Sequence, residues 1–300
     1  MSGEKTAVVR SYAKVNLSLD VLGKRPDGYH AIESVMQTIS LHDTLTLTLG
    51  KPGIRVTCDM PGIPTGEGNL AYQAAAVFFE RMEIEPALDI EIEKRIPPEA
   101  GLGGGSSNAA AVLRVLGSAF SVQRSGLPEL AAQIGSDVPF FLVGGMALVQ
   151  GRGEIVEPLP DMPTRWLVIV KPPFGVSTTW AYQRLDELAA TREQPTASER
   201  IRNCIEKGCR ELPGLLSNDL ELPTIERHPE IGNIKKALIE AGASASLMCG
   251  SGSAVFGLFE DMEAATRAQE RLSHLGQVFV ERTIGRQESM GVWECGCVGE

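Results

Sequence analysis

The chain has 300 residues, room for about two domains, and its 38 acidic against 28 basic side chains leave a net charge of −10. So acidic a chain gains no counterion-release drive towards a nucleic-acid backbone, which disfavours nucleic acid as a partner. Hydrophobic residues make up 43% and charged residues 22%, the balance of a packed chain, and no apolar run approaches the roughly 18 residues of a membrane span.

The opening residues, MSGEKTAVVRSY, lack the apolar stretch of a secretory signal, and Ser2 stands where myristoylation requires glycine. A cytoplasmic protein without a membrane anchor is therefore expected. Val15, Leu17, Leu19 and Val21 alternate with Lys14, Asn16, Ser18 and Asp20, which predicts one half-buried strand. KRPDGYH (24–30) has the chemistry of a turn, and LTLTL (45–49) and residues 54–58 read as strands. Asn69 is suited to cap a helix through AYQAAAVFFERM, and 88–93 alternates as a strand that stops at Pro97-Pro98. A glycine segment (101–105) leads into a helix from about Ser107. A short helix near 128–134, the turn Gly135-Ser136-Asp137, an apolar strand, and strands near 146–150 and 154–157 complete this half.

The proline-rich PLPDMPT (158–164) marks a boundary, giving an N-terminal lobe over 1–160 and a C-terminal lobe over 161–300. WLVIV (166–170) reads as a buried strand, followed by helices near 179–190, 198–210 and 229–241, the last ending before Gly242. A GSG turn (250–252) precedes the strand AVFGLF, Asp261 caps a final helix that stops at Gly276, and VFV (278–280) is the last strand. Strands and helices mix without strict βαβ alternation, so an α+β fold is expected. Six cysteines and four histidines lie scattered, with no C-x-x-C pair, so free thiols in a reducing compartment are expected rather than a zinc site. Only Cys295-Gly-Cys297, in the tail, has a spacing that suits metal binding or oxidation.

Glycine occurs 32 times, and its excess is concentrated. Residues 97–111, PPEAGLGGGSSNAAA, follow a strand and open a helix. Glycines let backbone N–H groups converge on a phosphate without a Cβ clash, and the helix adds free N–H groups and the positive end of its dipole. Ser106 and Ser107 offer hydroxyls to phosphate oxygens or to a magnesium ion. The dinucleotide pattern fails because Ser106 stands at its third glycine. The P-loop fails because both Gly-Lys pairs continue with Arg25 or Pro52, and no H-R-D or D-F-G of a protein kinase is present. Without a ligand, the same segment would be a tight glycine turn.

PPEAGLGGGSSNAAA resembles the signature loop of the GHMP kinases, the galactokinase, homoserine, mevalonate and phosphomevalonate kinase superfamily. AKVNLSLDVLGKRPDGYH (13–30) is similar to the N-terminal motif of the branch that phosphorylates 4-diphosphocytidyl-2-C-methyl-D-erythritol. CGSGSAVFG (249–257) resembles the glycine motif of the second lobe, and IGSDVPFF (134–141) and SNDLE (217–221) fit in order. The resemblance runs from about residue 10 to residue 285. It implies a two-lobed α+β architecture with the active site in the cleft, ATP and Mg2+ as cofactors, and a cytidine diphosphate substrate phosphorylated on its 2-hydroxyl. It makes Asp137 the proton acceptor, Lys14 the positive charge beside it, and Pro97, Pro98, Glu99, Ala100, Gly101, Leu102, Gly103, Gly104, Gly105, Ser106 and Ser107 the ATP loop, with Asn69 and Lys94 on the adenine side.

Several of these assignments have a physical basis in the residues themselves. A carboxylate at a Gly-Ser turn can face a cleft and take a hydroxyl proton. Lys14 and Asn16, two apart on a strand, share a face, and the resemblance implies that Asn16 contacts substrate. Tyr29 can stack on a pyrimidine and His30 can bond its edge, with Tyr182 on the opposite cytosine face. Gly250, Ser251 and Gly252 approach the substrate from the second lobe, or form only a hairpin-like turn between helix and strand. Glu99 is expected to point away from phosphate, since like charges in one site cost energy. The motifs name no magnesium ligand. The alternatives are a GHMP-type kinase for homoserine or mevalonate, and a non-catalytic nucleotide-binding relative. The latter would be expected to have lost Lys14 or Asp137.

Overall fold

A computed structural model describes residues 5–188, 195–208, 211–290 and 294–297. The chain runs β1 (Lys5–Asn16), β2 (Ser18–Lys24), β3 (His30–Leu49), β4 (Gly53–Cys58), α1 (Leu70–Met82), β5 (Ala87–Glu93), α2 (Gly104–Ala119), α3 (Leu127–Ile134), α4 (Val138–Val143), β6 (Met146–Gly151) and β7 (Ile155–Pro158). It continues through β8 (Trp166–Lys171), α5 (Thr178–Leu188), α6 (Ala197–Glu206), β9 (Ser217–Asn218), α7 (Glu221–Arg227), α8 (Pro229–Glu240), β10 (Ala245–Met248), β11 (Val255–Phe259), α9 (Met262–Leu272), β12 (Gln277–Arg282), α10 (Arg286–Ser289) and β13 (Glu294–Cys297). No described helix is long and apolar enough to cross a membrane.

The long strand β3 organises the first sheet. Its residues 36–49 pair with β1 and its start pairs with β2, while its other edge takes β5 over 44–49 and β6 over 32–37. Helices α1 to α4 cover one face, and Ala109, Ala110, Ala111, Val112 and Leu113 of α2 lie buried against Phe78 and Phe79 of α1 and Phe140 of α4. The second sheet has the order β10-β11-β8-β12, packed by α8 and α9. Mixed pairing in the first sheet and antiparallel pairing in the second, with helices segregated from both, is the α+β arrangement. Two strands from beyond residue 160 return to the first sheet: β9 pairs in parallel with β2, and β13 runs antiparallel to β1. Asp20 reinforces the link by accepting from the N–H groups of Ala197 and Ser198 at the start of α6.

Several expectations need correction. The alternation over 15–21 is two strands with a break at Leu17, whose N–H donates to Val35 O at 2.8 Å. Nor is it half-buried: Lys14, Asn16, Ser18 and Asp20 are all buried, because the second half of the chain covers the face that alternation alone assigns to water. The segment after Asp137 is the helix α4, with Pro139 in its first turn, instead of a strand. Helix α2 begins at Gly104, three residues before Ser107. VFV lies in β12 but is not the last strand, since α10 and β13 follow, and β13 places the Cys295-Gly-Cys297 segment on the edge of the first sheet. Cys204 is disulfide-bonded where free thiols were expected, while Cys58 and Cys249 are free. Residues 189–190 and 209–210 of two predicted helices lie outside the described residues.

Candidate active site

The two glycine motifs meet. Gly101 and Gly103 hold φ of +75° and +73°, a left-handed conformation that favours glycine. The N–H of Ala254 donates to Ala100 O at 3.2 Å, so the second motif is hydrogen-bonded to the first. Gly250, Ser251 and Gly252 sit in the connection between β10 and β11, joining two antiparallel strands and not a helix to a strand as expected. Between the motifs lies a cleft of about 620 Å³ whose walls include Lys14, Asn16, Gly101, Gly103, Asp137 and Tyr182. Gly250, Ser251 and Gly252 line its far side.

Lys14 stands at the floor. Its backbone N–H donates to Leu102 O, and its Nζ donates to Asn16 Oδ1 at 2.7 Å and to Gly101 O at 2.9 Å. Asn16 Nδ2 donates to Ser34 Oγ, whose hydroxyl donates to Ser18 O, so the amide cannot rotate without breaking a chain of bonds. The same Nζ lies 3.6 Å from Asp137 Oδ2. Asp137 occupies the N-cap position of α4, yet its side chain makes no capping bond there. The carboxylate therefore faces the cleft, partly exposed, beside a buried ammonium group. That pair can take a proton from a hydroxyl and hold negative charge next to it.

The glycine loop ends at the free N–H groups of the first turn of α2, with Gly103 as an N-cap that supplies no side chain. Ser107 is turned the other way, accepting from Ser11 Oγ at 2.7 Å inside the core. Lys94 and Asn69 are engaged within the protein. Lys94 Nζ donates to Asp43 Oδ2 and to Ile96 O, both at 2.6 Å, and is buried outside the cleft lining. Asp43, fully buried, also accepts the N–H groups of Arg95 and Ile96, so the ion pair fixes the segment that launches the loop. Asn69 caps α1 by accepting from Ala71 N–H at 2.9 Å, and its Nδ2 donates to Pro64 O. Removing Asp43 by substitution with alanine leaves a buried ammonium unpaired. Urea denaturation is expected to show a loss of about 3–5 kcal/mol.

Glu99 lines the cleft, with its carboxylate packed against Gly175, where any Cβ would overlap Glu99 Oε2. Nearby Lys171, whose Nζ donates to Phe174 O at 2.7 Å, has its ammonium pushed below the usual lysine range by burial, an effect that Glu99 opposes. Tyr29 is half exposed, with the Arg152 guanidinium 5.1 Å from its ring centroid, and lies outside the cleft lining. His30 and Tyr182 stack directly on one another, centroids 4.8 Å apart and planes at 21°, which leaves no room for a base between them. Burial, with the charges of Asp137 and Asp219, pushes the Tyr182 hydroxyl above its usual range, so it is a hydrogen-bond donor on the cleft wall at neutral pH.

Sequence reasoning missed Asn218. Its Nδ2 donates to Met248 O at 3.0 Å and Gly250 O at 2.7 Å, while its Oδ1 accepts from Leu220 N–H. Glu221 accepts the Met248 N–H, so SNDLE holds the second glycine motif against Lys14. The Asn-x-Leu spacing of an Asx turn was the available signal. Asn218→Asp would set a carboxylate against two carbonyl oxygens. We expect kcat to fall about ten- to a hundredfold, with little change in the KM for ATP, in steady-state assays.

Residues 69–145 match the model of the GHMP kinases N terminal domain, and residues 196–277 match that of the GHMP kinases C terminal domain. The chain is 44% identical over 281 residues to the 4-diphosphocytidyl-2-C-methyl-D-erythritol kinase of Geobacter metallireducens, covering 92% of this chain and 97% of that one. It is 45% identical over 284 residues to the protein of that name from Pelotomaculum thermopropionicum, covering 93% and 98%. A crystal structure of a 4-(cytidine 5'-diphospho)-2C-methyl-D-erythritol kinase superposes with a TM-score of 0.80 at 35% identity, over 93% of this chain and 99% of that chain. Homoserine kinase from Cytophaga hutchinsonii, at 20% identity and a TM-score of 0.73, shares the fold. With relatives this similar over nearly the whole length and the glycine loop, lysine and aspartate brought to one cleft, the chain belongs to the 4-diphosphocytidyl-2-C-methyl-D-erythritol kinase family of ATP-dependent GHMP kinases.

Proposed function

We propose that the protein transfers the γ-phosphoryl group of ATP to the 2-hydroxyl of 4-diphosphocytidyl-2-C-methyl-D-erythritol, in the cytoplasm, as a step of the non-mevalonate route to isoprenoid precursors. The observation that carries this reading is the Lys14–Asp137 pair, 3.6 Å apart at the floor of a cleft walled by two glycine motifs. The hydroxyl oxygen attacks the γ-phosphorus in line, the bond to the β-phosphate oxygen breaks to release ADP, and the hydroxyl proton passes to Asp137. Lys14, held by Asn16 and Gly101, stabilises the charge that develops beside it. The residues 97–107 and the start of α2 cradle the phosphates, Asn16 and the 250–252 motif contact the substrate, and Tyr29, His30 and Tyr182 form the base side.

Asn69 and Lys94, whose polar atoms are engaged in the protein, act on the adenine side by shaping it and not as free donors. The donor set suits an ion carried in by nucleotide phosphates more than a protein cage: no cluster of three ligating side chains occurs among the described residues, while Asp137 and Glu99 present carboxylates to the cleft. Bound Mg2+ would neutralise charge on the transferring phosphates. The lobes 1–160 and 161–300 would close on substrate from either side. The test is ADP release from purified protein with Mg-ATP and the cytidylated acceptor, with homoserine and mevalonate as rivals. Turnover with the cytidylated acceptor alone supports the reading, and turnover only with a rival overturns the substrate.

A further inference from the structure

We propose that Arg152 is a positioning residue for phosphoryl transfer, acting through the Gly135–Asp137 link to hold the Asp137 carboxylate towards the cleft. The inference rests on the reading above that Asp137 accepts the hydroxyl proton, and deepens it. That carboxylate makes no capping bond to α4, and its 3.6 Å separation from Lys14 Nζ is too long for a hydrogen bond. Its direction is therefore set by the backbone that carries it. The hairpin between β6 and β7 grips that backbone at two points.

The first grip is Gly153, whose φ is +126°. It lies so close to Ser136 that a Cβ on it would stand 2.8 Å from Ser136 O and 3.0 Å from Ser136 Cβ. The second is Arg152, which takes hold just before the link begins. Its Nη2 donates at 2.8 Å to Ala132 O in the last turn of α3. Carbonyls there have no partner within the helix and favour a cation, yet α3 carries no basic residue in that turn. Arg152 supplies one from another element. Its guanidinium also lies over the Tyr29 ring, with Cζ 5.1 Å from the centroid, so the turn between β2 and β3 braces it. Its backbone N–H donates to Glu154 Oε2 at 2.6 Å, which ties the hairpin to itself. A planar guanidinium can stack through its face while donating through its edge, and a lysine ammonium cannot do both. Arg152 does not line the cleft, so it acts through the link and not on substrate.

The full chain is assayed for ADP release with Mg-ATP and the cytidylated acceptor. In Arg152→Met kcat is expected to fall about ten- to a hundredfold, as a carboxylate displaced by up to 1 Å would cause. The KM for ATP should change by less than about twofold, because the glycine loop is not part of the bridge. Arg152→Lys keeps a donor for Ala132 O without the stacked face, so its kcat should lie between those of Arg152→Met and the wild type. The Asp137→Asn background separates positioning from a merely structural role. If Arg152 acts through Asp137, adding Arg152→Met there should cost about twofold or less. The same fold loss in both backgrounds overturns the proposal, as does an unchanged kcat in Arg152→Met. Hydrogen exchange gives a readout without turnover: the 135–138 amides should exchange faster in Arg152→Met than in the wild type. If wild-type protein does not turn over the cytidylated acceptor, the substrate reading fails instead. The exchange rates still judge Arg152, and equal rates in the two proteins overturn its role.

Discussion

Replacing Asp137 with asparagine is expected to lower kcat by about 10²–10⁴ while leaving ATP binding and the fold in place. The amide is nearly isosteric with the carboxylate but cannot take up the hydroxyl proton. Little else depends on the charge. The side chain makes no capping bond to α4, and it is 29% exposed, so its attraction to Lys14 across 3.6 Å is screened by water and contributes less than about 1 kcal/mol to stability. Lys14 keeps its bonds to Asn16 and Gly101 in the variant, so the floor of the cleft should stay ordered. Titration calorimetry with a non-hydrolysable ATP analogue should give an unchanged Kd, and the urea midpoint should match that of the wild type. Lys14→Met differs in kind, because it strips a donor from two acceptors that are otherwise buried and should lower stability as well as turnover. An Asp137→Asn protein with wild-type kcat would remove Asp137 as proton acceptor.

The parts of this fold that were legible in the sequence are those set by local chemistry. Asn69 and Asp261 cap their helices as residue type and position suggest, each accepting a backbone N–H from the first turn. The errors arise where distant packing overrides a local pattern. VPFFLV reads as a strand because it is short, apolar and rich in aromatic residues, yet Asp137 followed by Pro139 is a helix start, and the apolar side chains are satisfied by α2 and α3. Helix α2 starts with two glycines, which propensity disfavours, because a Cβ at Gly104 would lie 2.9 Å from Ile96 Cγ2 and 3.0 Å from Lys94 Nζ. Packing selects glycine there, and the helix forms around it. The resemblance puts Lys94 on the adenine side and says nothing of its partner, because Asp43 lies on a strand stretch that the pattern did not reveal. The Lys14–Asp137 pair was available only through the family resemblance. Alternation shows that Lys14 and Asn16 share a face, but it cannot say which remote turn that face will meet.

That meeting depends on how closely the two glycine motifs approach, and Gly101 is where a single methyl group decides it. In Gly101→Ala the new Cβ would overlap the Cys249 carbonyl oxygen, 2.7 Å from the Cys249 carbonyl carbon and 3.3 Å from Gly252 N. All three are backbone atoms, so no rotamer change relieves the clash. The φ of +75° adds about 1–2 kcal/mol for any residue with a side chain. Together these effects should cost about 3 kcal/mol in urea denaturation. The loss of activity should be larger than that of stability, because parting the loops carries either Gly101 O and Leu102 O away from Lys14 or the 250–252 motif away from the cleft. A displacement near 1 Å in a positioning group costs about 10²-fold, so kcat/KM should drop by at least that. Gly105→Ala separates steric from compositional causes. Gly105 has no left-handed φ, and its Cβ would meet only the Leu70 side chain, Cδ1 at an ordinary 3.4 Å and Cγ at 3.9 Å. Its stability should hold or rise by about 0.5–1 kcal/mol as alanine replaces glycine inside α2. If Gly101→Ala instead kept the wild-type urea midpoint and turnover, the two motifs would have room to part without consequence, and close backbone approach would no longer explain why the loop is built from glycine.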